Sequence, residues 1–372
     1  MTTECIQKSF GFHPLKNREI RARFDGGAIT TEGGGLLLRE VEKRTGMVRQ
    51  FAACFRDHRN PVLIEHTVEE MVAQRVYGLA LGYEDLNDHE ELRKDPLLAM
   101  LVEKSEPLED VLAGKSTLNR LELTPETATA KDRYKKIVAD HAAIDRLFVD
   151  TFLAAHRQAP PEIILDLDAT DDPVHGNQEG RFFHGYYGQY CYLPLYIFCG
   201  EFLLGARLRP SNIDASAGSL EELQRIVKQI RQLWPNVRMV VRGDSGFCRE
   251  ELMAWCEAEG VDYVLGLAKN ERLKKKIHKD LKQAAQQYRE TQRPARVFRE
   301  FYYQTRKSWS QRRRVVAKAE YLEKGENPRF VVTSLRAEEW AASMLYEQLY
   351  CGRGDMENRI KGAPVKPVES RW

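Results

Sequence analysis

Apolar and polar residues follow a helical period in the first part of the chain and mostly a strand period beyond residue 160. Before that point, apolar side chains recur every three to four residues in four stretches, which is the spacing of a helix with one buried face. The predicted helices span Leu36–Arg44, Glu65–Leu81, Glu90–Glu103 and Asp132–Ala155. A short hairpin of Ile20–Phe24 and Gly27–Thr31 is expected before them. Residues 1–155 are therefore predicted to form a mainly helical N-terminal domain.

Residues 156–269 show the pattern of an α/β core. Short apolar runs bounded by turn residues predict five strands, and two stretches of helical period lie between the later strands. The strands are Ile163–Thr170, Tyr187–Phe198, Phe202–Leu208, Val237–Val241 and Val261–Leu267; the helices are Ser219–Trp234, with Ser219 as N-cap, and Glu250–Glu259. Three hairpin-joined strands followed by helix, strand, helix and strand is the order of a ribonuclease-H-like fold. Because mixed α/β folds are common, this order is weak evidence by itself.

Beyond residue 270 the alternation of strand and helix stops. A basic helix over Glu271–Arg289 is expected first, and three alternating stretches then predict the strands of a small sheet. Its strands are Val297–Thr305, Arg313–Tyr321 and Arg329–Thr333. A last helix, Glu338–Lys361, has an apolar side of Trp340, Met344, Leu345, Leu349 and Met356. We therefore predict a basic β-rich insertion over 270–335 and a C-terminal helix of the core within 336–372.

The net charge of +2 conceals a strong local asymmetry. Between Lys269 and Lys318 there are 17 basic and 4 acidic residues, a local charge of +13 that leaves −11 for the rest of the chain. One intensely basic surface on a nearly neutral protein favours a polyanionic partner, and interleaved aromatic residues favour nucleic acid. The candidate contacts are Lys274, Lys275, Lys276, Arg312, Arg313 and Arg314. The alternative is an ordinary solvated helical face.

Composition argues against a secreted or membrane protein and against one held together by zinc or disulfides. The N-terminus lacks the apolar segment of a signal peptide, and the longest apolar run, Cys191–Cys199, is far too short to span a bilayer. The seven cysteines form no C-x-x-C pair, which argues against a zinc site or a disulfide framework. We expect a cytoplasmic protein with free thiols and no membrane contact.

The first predicted core strand ends in carboxylates. Asp166 and Asp168 alternate with leucines, so both point to the same face of the strand. A carboxylate in a core strand is costly unless it is paired or holds a cation. Asp244 follows the fourth predicted strand, and open α/β sheets build their sites at such carboxyl ends. Parallel packing would bring Asp244 near Asp168, although an ordinary strand end with a solvated acidic turn has the same sequence.

The last predicted helix carries a mixed polar face. Tyr350, Arg353, Glu357 and Lys361 fall at i, i+3, i+7 and i+11, which places them on one side. By itself this pattern is also typical of a surface ion-pair ladder, which contributes only tenths of a kcal/mol.

Three segments in order, LDLDATDDPVHG (165–176), VVRGDSGFCREEL (240–252) and YCGRGDMENRIK (350–361), resemble a known family. They resemble the DDE transposases of bacterial insertion sequences, above all the group 1 set (the thirteen-eighty family), related to the broader IS4-like group. The resemblance covers nearly the whole chain. It implies a ribonuclease-H-like core in which Asp168, Asp244 and Glu357 form the catalytic, metal-binding triad. Tyr350, Arg353 and Lys361 would complete a Tyr-Arg-Glu-Lys signature that contacts DNA phosphates.

The resemblance also implies cofactor, substrate and assembly. In-line phosphodiester displacement uses two divalent ions, and hard carboxylate ligands suit Mg²⁺, for which Mn²⁺ can substitute. The expected partners are the double-stranded DNA of terminal inverted repeats and target DNA. The expected reaction is strand cleavage at element ends followed by 3′-OH strand transfer. Because two ends must be processed, we expect a homodimer on DNA.

The sequence departs from the family pattern near its end. The signature lysine is expected seven residues after the glutamate, where Pro364 stands, so Lys361 is an irregular match. Family members usually continue for some tens of residues, and GAPVKPVESRW is an unusual tail. These departures favour a shortened or frameshifted copy as one hypothesis. Two alternatives to an active transposase follow: an inactive remnant that only binds DNA, and a ribonuclease-H-like nuclease or Holliday-junction resolvase.

Overall fold

The computed structural model describes residues 9–23 and 32–354. The described residues fall into two compact units that divide between Leu147 and Phe148. Each unit has a hydrophobic core of its own. Within the described ranges, no helix is both long and apolar enough to cross a membrane.

The first unit is built mainly from short helices. They are α1 Gly35–Thr45, α2 Met47–Ala52, α3 Val68–Ala80, α4 His89–Leu92, α5 Pro96–Leu101, α6 Lys115–Glu122 and α7 His141–Ala155. Two small antiparallel pairs accompany them: β1 Phe10–Leu15 with β2 Arg18–Ala22, and β3 Phe55–Asp57 with β4 Ile137–Ala139. Single 3₁₀ turns occupy Pro61–Leu63 and Leu86–Asp88. Helix α7 spans the point of division between the units.

Local chemistry explains where these helices begin and end. Helix α3 starts at a capping box, in which the Thr67 hydroxyl accepts the Glu70 amide at 3.1 Å and the Glu70 carboxylate accepts the Thr67 amide at 2.9 Å. The predicted helix Glu90–Glu103 is instead two helices, because Pro96 has no amide hydrogen for a helix interior and so begins α5 after the Asp95 cap.

Two other predictions for this unit need correction. The helix predicted from Asp132 begins only at His141, because Ile137–Ala139 pairs as a strand with Phe55–Asp57. The strand around Ile20 pairs with β1, which precedes it in the chain. Its predicted partner, 27–31, lies outside the described residues.

The second unit is a mixed α/β structure. Its strands are β5 Glu162–Ala169, β6 Asp172–Pro173, β7 Phe182–His184, β8 Gln189–Tyr192, β9 Leu195–Cys199, β10 Phe202–Arg207, β11 Arg238–Gly243, β12 Asp262–Leu267, β13 Ala295–Tyr303, β14 Arg313–Leu322, β15 Gly325–Glu326 and β16 Arg329–Thr333. Its helices are α8 Ser219–Leu233, α9 Glu250–Glu259, α10 Glu271–Lys276, α11 His278–Thr291 and α12 Ala342–Met344, followed by a π-helical segment Leu345–Tyr350 and a 3₁₀ turn Cys351–Arg353. The N-cap of α8 is Gly218 rather than the predicted Ser219.

One large sheet dominates this unit. Among the described residues, nine strands form it in the order β10-β9-β5-β11-β12-β16-β14-β13, with β15 beside β14. Strands β5, β11 and β12 are parallel to one another, and the flanking pairs are antiparallel. The predicted strand Tyr187–Phe198 is divided at Pro194, which cannot donate to a strand ladder. Its first part, β8, is the central strand of a separate three-stranded sheet with the order β6-β8-β7.

The strands predicted to form a small sheet belong to the large one. Strand β16 pairs with β12, and β14 and β13 follow it outward. The reason is burial on both faces: Val315 belongs to the core on one side of the sheet and Val316 to the core on the other. A strand that is apolar on both faces needs cover on both faces, which the apolar layers on the two sides of the main sheet supply.

Each face of the sheet has its own apolar layer. Leu165 and Val241 pack with helices α8 and α9 on one face. Val240 and Val264 pack on the other with Leu345, in the helical segment near the end of the described chain. A fully buried aliphatic side chain of this kind contributes roughly 1.5–3 kcal/mol. The last helical segment is therefore held against the central parallel strands.

Candidate active site

Asp168 and Asp244 lie at the carboxyl ends of neighbouring parallel strands. The register of β5 and β11 places Gly243 opposite Leu167, so the next residue on each strand is an aspartate. Adjacent strands are about 4.8 Å apart. Both side chains are half-buried, with Asp168 15% exposed. The structure therefore brings together the two aspartates that the strand pattern predicted to be neighbours.

The loop after β11 fixes the Asp244 side chain. Its Oδ1 accepts the Gly246 amide at 2.8 Å and caps the 3₁₀ turn Ser245–Phe247. Glycine suits this position because a Cβ on Gly246 would lie only 2.9 Å from Asp244 Oδ1. The GDSG sequence thus holds the Asp244 carboxylate at the strand end through Oδ1, and Oδ2 takes no part in this hydrogen bond.

Asp166, two residues earlier in β5, has a different environment. Its side chain is 3% exposed and receives a bidentate contact from Arg242, the residue opposite it in β11. Arg242 Nη2 donates to Asp166 Oδ2 at 2.7 Å, and its Nη1 donates to the Leu349 carbonyl. A buried carboxylate satisfied in this way is part of the core rather than of an open site.

Two residues of the predicted signature reach the aspartates. Arg353 Nη1 lies 3.3 Å from Asp168 Oδ1. The Tyr350 hydroxyl lies close to the end of β11. A Cβ built on Gly266, in the neighbouring strand β12, would lie 2.7 Å from Tyr350 Oη and 2.8 Å from the Ser245 amide nitrogen, so both atoms lie against Gly266. Burial raises the pKa of Tyr350; the Arg353 charge opposes this shift and the Asp244 carboxylate adds to it. The phenol is therefore a neutral hydrogen-bond donor at ordinary pH.

The helix that carries these residues is not a regular α-helix. Residues Leu345–Tyr350 have π-helical hydrogen bonding, which widens the helix just before Arg353. Such wide turns occur frequently at functional sites. The helix predicted over Glu338–Lys361 begins later than expected, at Ala342. Met344 is exposed and does not belong to its apolar side. Met356, Glu357 and Lys361 lie outside the described residues.

A cavity of about 520 Å³ opens beside the two aspartates. Its wall includes Asp168, Asp244 and Arg353, together with His184 at the end of β7 and Tyr186 and Tyr187 in the turn that follows. Burial, and after it the carboxylates of Asp171, Asp168 and Asp244, raise the pKa of Tyr187 to about 12. The cavity thus combines negative charge, one arginine and aromatic rings.

The donor set fits a hard divalent cation in part. Two carboxylates at one sheet edge are the oxygen ligands that Mg²⁺ and Mn²⁺ prefer. Within the described ranges, no group of three His, Cys, Asp or Glu residues lies close enough to hold a metal. The predicted third ligand, Glu357, is outside those ranges.

The predicted DNA-contacting residues divide into exposed and buried sets. Lys275, Lys276 and Arg312 are exposed, and Lys274 is half-buried beside Glu271. Arg313 and Arg314 are only 3% and 5% exposed. Arg313 binds Glu250 and Glu257 of α9, while Arg314 binds Glu300 and the carbonyls of Leu335 and Trp340. Their burial corrects the expectation that these two arginines contact a polyanion.

Sequence reasoning missed two features of the site. One is the Asp166–Arg242 pair, which the parallel register could have suggested because Asp166 and Arg242 precede Asp168 and Asp244, respectively, by two positions. The other is the cavity wall formed by His184, Tyr186 and Tyr187. The aromatic and glycine content of HGYYG was visible in the sequence, but nothing there placed it beside the aspartates.

Comparisons with known proteins identify the family. A family model described as transposase DDE domain group 1 matches residues 12–366. No curated protein sequence matches the chain. The solved structures similar to it include a piggyBac transposase synaptic complex with hairpin DNA (TM-score 0.42, 11% identity, 88% of this chain and 68% of that chain). They also include Ciona intestinalis endonuclease V in complex with inosine-containing DNA (TM-score 0.21, 11% identity, 52% of this chain and 80% of that chain). Because the family match spans nearly the whole sequence, this chain belongs to the transposase DDE domain group 1 family.

Proposed function

We propose that the chain is an insertion-sequence transposase that cleaves DNA at the element ends and joins the freed 3′-OH to target DNA. The observation that carries this proposal is the pair Asp168 and Asp244 at adjacent strand ends, beside an arginine and an open cavity. Phosphodiester displacement requires carboxylates that converge on one phosphate and a cation that offsets its charge. Membership of the thirteen-eighty and IS4-like set is part of the same proposal.

The proposed core is ribonuclease-H-like. Its support is the order of the five strands that sequence analysis assigned to the core. Numbered along the chain, they lie in the sheet in the order third, second, first, fourth, fifth. The first, fourth and fifth are parallel, and the hairpin strands are antiparallel to the first. In this arrangement the catalytic aspartates end the first and fourth strands.

The residues have distinct proposed roles. Asp168, Asp244 and Glu357 would hold divalent ions, with Mg²⁺ expected and Mn²⁺ as a substitute. When bound, such ions activate the nucleophile and stabilise the leaving oxygen. Arg353 would bind a phosphate oxygen at the cut, exchanging its contact with Asp168 for one with DNA. Tyr350, kept protonated by burial, would donate a hydrogen bond to the same backbone. Lys361 would contribute a further phosphate contact.

The exposed basic residues would bind the duplex away from the cut. Lys275, Lys276 and Arg312 remain available for phosphate contacts, and Lys274 can exchange Glu271 for a phosphate. The proposed partners are the terminal inverted repeats and the target DNA. A homodimer would place one active site on each element end.

The decisive experiment measures metal-dependent nicking of a duplex taken from the DNA that flanks this gene. Asp168→Asn and Asp244→Asn should each lower the rate at least about a hundredfold, since even outer-shell groups around a metal are worth 10- to 100-fold. Asp280→Asn is the matched control. It is 16% exposed against 15% for Asp168, and its arginine lies 3.1 Å away against 3.3 Å. Full cleavage by both site variants would contradict the proposal.

Metal binding and product analysis separate the alternatives. Glu357→Gln should weaken Mn²⁺ binding in calorimetry and remove nicking without a large change in melting temperature. A wild type that binds DNA but no divalent ion would be an inactive DNA-binding remnant. Cleavage without any joined product in the presence of target plasmid would identify a nuclease or resolvase instead.

A further inference from the structure

An aromatic hairpin forms one wall of the candidate active site. Strands β7 and β8 are joined by a short turn of sequence GYYG, at residues 185–188. The turn is closed by a bond from the Gly188 amide to the His184 carbonyl at 2.8 Å, with Gly188 at φ 69°. Tyr186, at the tip, is 86% exposed. A ring left in water buries little apolar surface and so contributes little to folding.

The two faces of the hairpin differ in what they adjoin. Phe183 and Tyr190 are opposite each other in register, with ring centroids 5.6 Å apart and Arg181 stacked 4.5 Å from the Tyr190 ring. These residues are not part of the cavity wall. Tyr186 and Tyr187 do line the cavity, together with Asp168 and Asp244. The tip therefore joins an exposed aromatic surface directly to the carboxylates.

The geometry of the tip leaves one ring available for stacking. Tyr187 packs against His184 with centroids 4.8 Å apart, and the Tyr186 ring meets Tyr187 edge-on, at 5.0 Å and 86°. In a T-shaped pair the edge of one ring meets one face of the other, so the pair leaves at least one face of each ring uncovered. Tyr186 is thus supported by a neighbour and still presents a planar surface at the mouth of the cavity.

We propose that Tyr186, supported by Tyr187, is a stacking platform for an unpaired nucleobase next to the phosphate that is cut. The inference rests on the proposed DNA-cleaving function and adds a part of the substrate to it. A planar base is the ligand that a lone exposed ring recognises without sequence preference. Continuity with the cavity favours this occupant over a protein partner, because the ring lies beside the carboxylates rather than at the centre of a broad apolar surface.

The test uses a single-stranded oligothymidylate that carries one 2-aminopurine, with EDTA present to prevent cleavage. Stacking on a tyrosine ring should quench the 2-aminopurine fluorescence. Tyr186→Ala should weaken binding about tenfold, within the range for loss of one base–aromatic stack, and abolish the quenching. Tyr186→Phe keeps the ring and should behave as the wild type. The salt dependence of binding should be the same in all three proteins, because the tyrosine neutralises no phosphate.

Tyr190→Ala is the matched control, since it removes an exposed tyrosine of the same hairpin outside the cavity wall. Quenching that survives in Tyr186→Ala, or that falls equally in Tyr190→Ala, would overturn the inference. A second arm places the 2-aminopurine opposite thymine in a duplex. Quenching there means that the base is extruded from the duplex, whereas quenching in the single strand alone means that the base is already unpaired when it binds.

Failure of this inference can be distinguished from failure of the proposed function. If the wild type nicks duplex DNA with Mg²⁺ but never quenches the probe, the cleavage function stands and the stacking site is wrong. If the probe is quenched through Tyr186 and no nicking occurs with either metal, the nucleobase site stands and the cleavage function is wrong.

Discussion

Two aspartates on one strand each contact an arginine, and the two pairs differ in almost every other respect. Asp166 and Arg242 are 3% and 9% exposed, and the arginine makes a bidentate contact. Asp168 and Arg353 are 15% and 16% exposed, and their contact at 3.3 Å is longer. The first pair joins neighbouring strands in the core. The second lies at the wall of the cavity.

The comparison shows that pairing by itself does not reveal the role of a charged residue. A buried pair is costly to break because the remaining charge has neither water nor partner. A pair that water can reach costs less to break, since water replaces each partner. The same sequence pattern, an aspartate alternating with leucines, thus produces one carboxylate paired in the core and one at a cavity wall.

Breaking the buried pair should have the largest effect. Asp166→Asn leaves the Arg242 charge in the core and should lower the free energy of unfolding by about 3–5 kcal/mol, measured by urea denaturation. The double variant Asp166→Leu with Arg242→Met should recover most of this loss, because it leaves no charge unpaired. Equal instability in the single and double variants would mean that the site depends on shape rather than on charge pairing.

A second buried arginine tests the same principle within the basic stretch. Arg313→Gln should destabilise the protein by about 3 kcal/mol, since Glu250 and Glu257 would lose their shared partner. Burial favours a high pKa at Glu250 and Glu257, but in the wild type the hydrogen bonds from Arg313 outweigh this effect. The pKa values of both glutamates should therefore rise in the variant. Because those pKa values are lowered in the folded protein, the stabilisation is present above the ordinary glutamate pKa and is lost on acidification. Arg312→Gln, one residue away and exposed, is the control and should change stability by at most about 0.5 kcal/mol.

The pair at the cavity wall should matter for activity rather than stability. Arg353→Gln is expected to lower nicking about tenfold to a hundredfold through loss of a charge-assisted phosphate contact worth about 1.5–3 kcal/mol. The free energy of unfolding should change by less than about 1 kcal/mol. Arg299→Gln, which removes the arginine beside Asp280, is the matched control and should cleave normally. Large destabilisation by Arg353→Gln would place this pair in the same class as the buried one.

The smallest effect on stability is expected from the lysines of α10. Replacing Lys274, Lys275 and Lys276 by alanine should leave unfolding within about 0.5 kcal/mol of wild type. The slope of log K against log salt for duplex DNA should become shallower by roughly 0.9 for each lysine that contacts a phosphate. An unchanged slope would identify this run as a solvated helical face.

The sequence predicted the elements of the core better than their grouping. The first core strand, α9 and β16 occur where the apolar pattern predicted them, because burial imposes a clear period on each. Pattern within a segment does not show which sheet a strand joins. The sequence therefore predicts a small sheet for β13, β14 and β16, whereas in the structure β16 pairs with β12 and the other two strands continue the large sheet.

The candidate site was also predictable only in part. The proximity of Asp168 and Asp244 could be predicted, because parallel strands that end in acids meet at one edge of the sheet. The buried state of Arg313 and Arg314 could not, because a cluster of arginines has the same sequence whether glutamates or water surround it. Glu357 and Lys361 lie outside the described residues, and their roles stay predictions.

The contact between Arg353 and Asp168 has a consequence for protein synthesis. The two residues are 185 positions apart, so at roughly 5–20 residues per second a ribosome needs roughly 10–40 s to pass from one to the other. Arg242 is made within that interval and can already bind Asp166. Its bond to the Leu349 carbonyl, and the arrival of Arg353 at the cavity, must wait for the last helical segment. A nascent chain can therefore form the Asp166–Arg242 pair before the Asp168–Arg353 pair.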